Sequence, residues 1–297
     1  MAWTHYKLKF RLLSPMHIGY RKVGNLMQTR KYVPGKNVWA ALTARLTRDY
    51  HDGSKGDEYK KIGKKLIGQF RFGYLWPSLD GIEPYFFWDH EEDHEDFDYL
   101  LLDSYASAAL DYSAYSTEEG SLHETEFVAP VARNGYPVFL LGDLWKKDDE
   151  IEGKIDDESW QRSMENLQLG GERTYGWGRV AICSEGWSGN SSRQGITALG
   201  HRWQEEGEEI VFIVDKGKRI TAHALAARTE SQSNAFGGVP TKDVSGSIEP
   251  MVGREWSDSA GKEVSYGGVY FLPGSKTTKE EARFIIDCFG RWTSGRG

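Results

Sequence analysis

Two cysteines, Cys183 and Cys288, are all that 297 residues contain. They are too few for a disulfide framework or a thiolate zinc site, and they suit a reducing compartment. No apolar run is long enough to span a membrane. The opening residues, Met1-Ala2-Trp3-Thr4-His5-Tyr6-Lys7, lack the apolar core of a signal peptide, so a cytoplasmic location is expected. Positive charge is in deficit too. Lys and Arg number 37 against 44 Asp and Glu, and the net charge of -7 argues against a broad, nonspecific nucleic-acid binder. It leaves room for a local basic groove, because distribution matters more than the sum. A Walker-type phosphate loop is missing: Gly35-Lys36 has neither the preceding glycine nor the following Ser/Thr. No Ser-His-Asp or Cys-His arrangement can be argued from spacing, and no tandem repeat of short period is visible. No cofactor is expected.

Glycine is concentrated where it is most informative. Leu169-Gly170-Gly171-Glu172-Arg173-Thr174-Tyr175-Gly176-Trp177-Gly178-Arg179-Val180 holds four glycines within nine residues, beside two arginines and two aromatics. Such a loop permits positive φ and lets backbone approach a partner closely, and its amides can cradle an anion. Arginine adds planar phosphate recognition, and Tyr or Trp offers a face for a base. The same residues also fit a plain glycine-rich turn.

Hydrophobic content of 39% with 27% charged residues marks a globular chain able to bury a real core. Eleven tryptophans could serve core, interface or base stacking. Residues 5–12 alternate, with Tyr6, Leu8, Phe10 and Leu12 on one face and His5, Lys7, Lys9 and Arg11 on a cationic outer face. Residues 20–34 read as a loop. A helix opens near Pro34-Gly35-Lys36-Asn37 with Asn37 as N-cap, and a second, basic helix covers 57–67. Further strands are expected at 84–88, 124–128, 136–144, 180–182, 209–214 and 267–272, a helix at 159–167, and a final amphipathic helix at 279–289. Strands and helices mix without strict βαβ repetition, so the class is α+β. The Ser/Gly-rich stretch 184–197 reads as a linker between an N-terminal domain, 1–183, and a β-rich or RRM-like C-terminal part, 198–297.

Three segments in order resemble the CRISPR-associated RAMP superfamily. They are Leu13-Ser14-Pro15-Met16-His17-Ile18-Gly19, then Tyr32-Val33-Pro34-Gly35-Lys36-Asn37-Val38-Trp39-Ala40-Ala41-Leu42, then Gly170 to Gly178. Each alone is weak; the ordered set is fairly specific. The resemblance implies a ferredoxin-like (RRM-type) βαββαβ fold with a β-hairpin thumb and a smaller, loop-rich C-terminal part. Glu118-Glu119-Gly120-Ser121-Leu122-His123-Glu124-Thr125-Glu126-Phe127 is similar to the thumb segment of subunits that cap the 5′ handle of a guide RNA (crRNA), which places the thumb at about 106–128. Gly267-Gly268-Val269-Tyr270-Phe271-Leu272 is similar to their C-terminal strand.

The resemblance implies an RNA-binding subunit of a type III or type III-derived effector ribonucleoprotein in antiviral defence. It would hold the crRNA 5′ handle, nucleate backbone subunits, meet other effector subunits, and touch target RNA only indirectly. The expected RNA-binding residues are His17, Gly19, Tyr20, Lys36, Asn37, Gly170, Gly171, Arg173, Thr174, Tyr175, Gly176, Trp177 and Gly178. A helix N-terminus attracts phosphate, and single-stranded RNA needs stacking groups. Backbone subunits of the superfamily cut target RNA with an aspartate in the loop before the proline-glycine; here residues 25–33 contain no Asp or Glu. The non-catalytic reading therefore leads. A metal-independent endoribonuclease acting on precursor crRNA is the alternative, with His17 as base and Tyr20 or Lys22 beside it. A zinc hydrolase is the second alternative, on His90-Glu91-Glu92-Asp93-His94. Its flanks are acidic, no apolar stripe runs through it, and a solvated acidic loop fits better.

Overall fold

The computed structural model describes residues 3–51, 56–89, 96–148, 155–183, 189–227, 238–240, 242–255 and 263–294. Elements are numbered in chain order. The first sheet is built from β1 (Trp3–Leu12), β4 (Phe70–Phe72), β5 (Trp76–Ser78), β10 (Phe139–Lys147) and β11 (Val180–Ile182). Its order is β11-β1-β10-β4, with β5 continuing the edge after β4, and these pairs are antiparallel. Helices α1 (Gly35–Tyr50) and α2 (Gly56–Gln69) join β1 to β4, and α4 (Asp157–Met164) joins β10 to β11. Counting β4 with β5 as one strand, this is the βαββαβ chain order with the 4-1-3-2 strand order of a ferredoxin-like sheet.

The alternation in β1 drives this packing. Leu8, Phe10 and Leu12 are buried with Val38, Leu42 and Leu46 of α1, Ile62 and Leu66 of α2, and Trp160 and Met164 of α4. Trp39 of α1 donates its indole N–H to Gly63 O of α2 at 3.0 Å, joining the first two helices. The helix N-cap is Pro34 rather than Asn37, whose backbone N–H instead donates to Pro34 O. The face of β1 expected to be cationic is partly covered. His5 is buried, donates through Nε2 to Asp143 at 2.7 Å, and stacks on Trp145 with ring centroids 4.9 Å apart.

What covers that face is a second sheet. Its order is β13-β14-β15-β21-β22-β16-β19-β18, from β13 (Gln194–Ile196), β14 (Arg202–Glu206), β15 (Glu209–Asp215), β16 (Ala224–Leu225), β18 (Ile248–Glu255), β19 (Glu263–Phe271), β21 (Glu281–Ile286) and β22 (Trp292–Ser294). Trp3, Trp76 and Trp145 of the first sheet share one buried cluster with Trp203, Phe212, Phe284 and Trp292 of the second. These five tryptophans and Trp160 are, among the described residues, the fully buried ones. β21 replaces the expected last helix because Ala282, Phe284 and Ile286 are buried while Glu281 and Arg283 are exposed, a period of two rather than 3.6. The 184–197 stretch is more than a tether: β12 (Gly189–Asn190) pairs with β1, and β13 opens the second sheet. Gly189 allows this because a Cβ there would meet Tyr6 at 2.7 Å.

A third sheet stands beside these, in the order β2-β3-β9-β6, from β2 (Gly19–Val23), β3 (Leu26–Thr29), β6 (Leu102–Ser107) and β9 (His123–Val128). The stretch 20–34 read as a loop therefore contains a hairpin, turned by Gly24 at φ 59°. A long β-hairpin, β6 with β9, follows the short helix α3 (Phe97–Leu101), and its end is closed by β7 (Leu110–Asp111) with β8 (Ser116–Thr117). Residues 84–88 form no strand. Phe86, Phe87 and Trp88 instead turn inward around Trp76, with centroids 4.9, 5.9 and 4.9 Å from it.

Candidate nucleic-acid interface

The glycine loop is docked onto the chain that leaves β1. Gly178 N–H donates to Pro15 O at 2.7 Å, Gly171 N–H to His17 O at 2.9 Å, and Leu169 N–H to Gly178 O at 2.8 Å. These contacts are possible only with glycine. Gly178 sits at φ 75°, and a Cβ there would lie 1.9 Å from Leu169 O; Gly170 sits at φ 85°, and its Cβ would lie 2.2 Å from His17 O. Inside the loop, Gln168 donates its side-chain N–H₂ to both Arg173 O and Trp177 O at 3.0 Å. A single 3-10 turn, Arg173–Tyr175, is pinned between Glu172 and Gly176, both in the left-handed region.

This construction sends Arg173, Thr174 and Tyr175 outward. All three are exposed, Tyr175 at 79%, and Arg173 has no ion pair among the described residues. Trp177 is half-buried and rests edge-to-face on Phe127 of β9, centroids 5.0 Å apart, so it plugs the loop against the long hairpin. The loop thus offers a cation, a hydroxyl and one aromatic face over a backbone held fixed from beneath.

His17 lies under the loop, 8% exposed, and donates from Nδ1 to Glu126 O at 2.7 Å. Its ring is held by a carbonyl from β9, with Nε2 toward Gly19. Glu126 was invisible to sequence spacing, being 109 residues from His17. Its carboxylate also accepts the Thr29 N–H at 2.9 Å, so the stretch 25–33, which has no acid of its own, is given one by β9. Tyr20 and Lys22 lie on the exposed strand β2, whose register shifts between Gly19 and Lys22; the Tyr20 ring carries the guanidiniums of Arg30 at 4.7 Å and Arg21 at 5.2 Å. Arg30 continues into a buried network. It pairs with Glu249 at 2.7 Å, Glu249 accepts from His223 Nε2 at 2.7 Å, and Tyr74 donates to His223 Nδ1 at 2.7 Å. Burial opposes the Glu249 charge, but the hydrogen bond from His223 and the Arg30 charge hold its carboxyl below the usual range.

Two of the three segments singled out from sequence therefore meet: residues 14–19 and the glycine loop. Lys36 and Asn37 are set by other contacts. The start of α1 packs against Phe72 and Phe289, where a Cβ on Gly35 would meet their carbonyls at 2.1 and 2.4 Å, and Lys36 Nζ lies 5.8 Å from the Phe289 ring centroid. The His90–His94 motif lies outside the described residues. Among the described residues no group of His, Cys, Asp and Glu could hold a metal ion, and no helix is long and apolar enough to cross a membrane.

No protein-family model matches the chain, and no curated protein matches it in sequence. In fold it is similar to chains of the type III-B Cmr-beta complex. A chain of that complex bound to cognate target RNA and AMPPnP, state 1, matches with a TM-score of 0.51 at 12% identity, over 91% of this chain and 85% of that one. A chain of the complex bound to cognate target RNA matches with a TM-score of 0.48 at 13% identity, over 92% and 86%. One from the apo state matches with a TM-score of 0.40 at 13% identity, over 60% and 96%. The α+β fold is thus shared with a chain of the type III-B Cmr-beta complex.

Proposed function

We propose that this chain is an RNA-binding subunit of a type III or type III-derived CRISPR effector, holding the 5′ handle of the crRNA and nucleating the row of backbone subunits. The observation that carries the proposal is the glycine loop, locked from beneath and presenting Arg173, Thr174 and Tyr175 to solvent. An unpaired guanidinium beside an exposed ring suits a phosphate and its base. The local cation also answers the net charge of -7, since one rigid site needs no basic field across the molecule. His17 acts in this reading as the post that fixes residues 15–19 beneath the loop. Gly19, Tyr20, Gly170, Gly171, Gly176, Trp177 and Gly178 shape the surface, and Lys36 and Asn37 meet a more distant part of the RNA. Other effector subunits, indirect contact with target RNA and a cytoplasmic location go with this assignment.

Filter binding of the full chain to a repeat-derived RNA, across a salt series, tests it. Saturable binding whose salt slope is shallow, reflecting a few phosphate contacts, is expected. RNA binding no tighter than to an unrelated acidic protein would remove the proposal.

A further inference from the structure

The long hairpin has a composition unlike the rest of the chain. Between Tyr99 and Ala132 there are six carboxylates, Asp103, Asp111, Glu118, Glu119, Glu124 and Glu126, and no lysine or arginine. Its tip gathers exposed apolar side chains: Leu110 at 59%, Tyr112 at 83%, Tyr115 at 98% and Leu122 at 57%. Apolar side chains gathered in this way mark an interaction site more often than they serve the monomer.

The tip is built to hold them still. Asp111 Oδ1 accepts from Ser113 N–H at 2.9 Å, Ser113 Oγ–H at 2.6 Å and Ala114 N–H at 3.2 Å. β7 pairs with β8 on either side, and Glu118 N–H donates to Ala109 O at 2.9 Å. Tyr115 takes the left-handed region at φ 52°, which a non-glycine residue enters only where surrounding bonds require it. Two tyrosines on an ordered turn supply large contact area for little lost rotamer freedom.

Charge decides which partner fits. A nucleic acid brings one negative charge per phosphate, and here it would meet carboxylates with no lysine or arginine of the hairpin itself to offset them. Asp103, Glu118 and Glu119 are exposed along the same hairpin. At physiological salt their repulsion reaches about 8 Å from each carboxylate. A protein surface rich in lysine and arginine around an apolar pocket satisfies both features: the pocket takes Tyr112 and Tyr115, and the cations meet the carboxylates.

We infer that the tip of this hairpin docks directly onto a basic protein surface of another subunit, through Tyr112 and Tyr115 with Glu118 and Glu119, rather than onto RNA. The inference takes from the proposed function only that this chain works within an assembly, and it stands whether or not the glycine loop holds a crRNA handle. The test places the photo-crosslinker p-benzoylphenylalanine at position 115 in the full chain, purified with its native assembly. After irradiation, adducts are mapped by mass spectrometry with and without ribonuclease. The expected product is a ribonuclease-resistant adduct to a Lys/Arg-rich peptide of a different chain. Its yield should fall at least tenfold in E118K/E119K, whose melting temperature should match the parent and show that the variant folds. The conservative variant E118D/E119D should keep most of the yield. An adduct to RNA, an adduct to a second copy of this chain, an adduct to an acidic peptide, or no adduct would each overturn the inference.

Discussion

Gly178 and Gly176 stand two residues apart and should answer very differently to the same substitution. Both have positive φ, but a Cβ at Gly176 meets open space, whereas one at Gly178 would lie 1.9 Å from Leu169 O and break the pair that closes the loop. Gly176→Ala should cost about 1 kcal/mol, and Gly178→Ala about 3 kcal/mol or more, read from urea unfolding. Equal costs would mean that the loop is not closed in this way. Arg173→Ala should leave stability unchanged, because the side chain is exposed, while weakening RNA binding about 10- to 100-fold through one lost charge-assisted phosphate contact. An unchanged affinity and salt slope would take Arg173 out of the site. The glycines of this loop could be read from sequence because four in nine residues announce backbone crowding. The supports of His17 and Thr29 could not. Both come from Glu126 across the fold, one of them through a carbonyl that every residue possesses, so no residue type marks the position.

The β6–β9 hairpin was visible in outline, since Glu118 to Phe127 reads as a turn followed by a returning strand. Deleting Ser113–Gly120 should keep the melting temperature within about 3 °C, because the tip is exposed and packs on no core cluster. The same deletion should impair assembly with the neighbouring subunit on size-exclusion chromatography. Normal assembly would mean that the hairpin is not the thumb. Other elements were misread for reasons that repeat. β2 is exposed along its whole length and β3 is only four residues long, so hydrophobic periodicity had little to report. The charged residues around the short apolar run of β21 predict an amphipathic helix, yet its buried residues keep a period of two. A further consequence concerns His201, just before β14. Its Nε2 is buried with no hydrogen-bond partner among the described residues, and burial, then the nearby Lys218 charge, lower its pKa to about 4 from 6.5. The unfolded chain takes up this proton first, so the stabilisation is complete above pH 6.5 and is lost as pH falls toward 4, by roughly 3 kcal/mol. His201→Phe should flatten that slope in unfolding midpoints measured from pH 7.5 to 4.5; an unaltered slope would assign it to other groups.

At the scale of the whole molecule, the two largest sheets share a tryptophan-rich core, and this is what the sequence disclosed least. A Ser/Gly-rich segment suggested separable parts, but Trp3, Trp76 and Trp145 close onto Trp203, Phe212 and Trp292, and no local pattern reports a contact between residues 200 positions apart. Each such ring removes roughly 150–250 Å² from water. A fragment ending at residue 183 should therefore aggregate or bind a hydrophobic dye, where an independent domain would remain monomeric. The joined halves make one rigid carrier for a glycine loop whose surface is chemically simple, a cation and a ring with His17 tucked beneath. His17, 8% exposed, is shielded from a ribose hydroxyl, which favours positioning over cleavage. The central claim is thus binding of a guide-RNA handle without chemistry. The most direct measurement is a single-turnover assay of the full chain with end-labelled repeat RNA and target RNA, with Mg²⁺ and with chelator, read for both footprint and cleavage. Protection of the handle segment of the repeat RNA is expected, with loss of that protection in Arg173→Ala and no cleavage of either RNA. Site-specific cleavage that disappears in His17→Ala, or the absence of any footprint, would contradict the central claim.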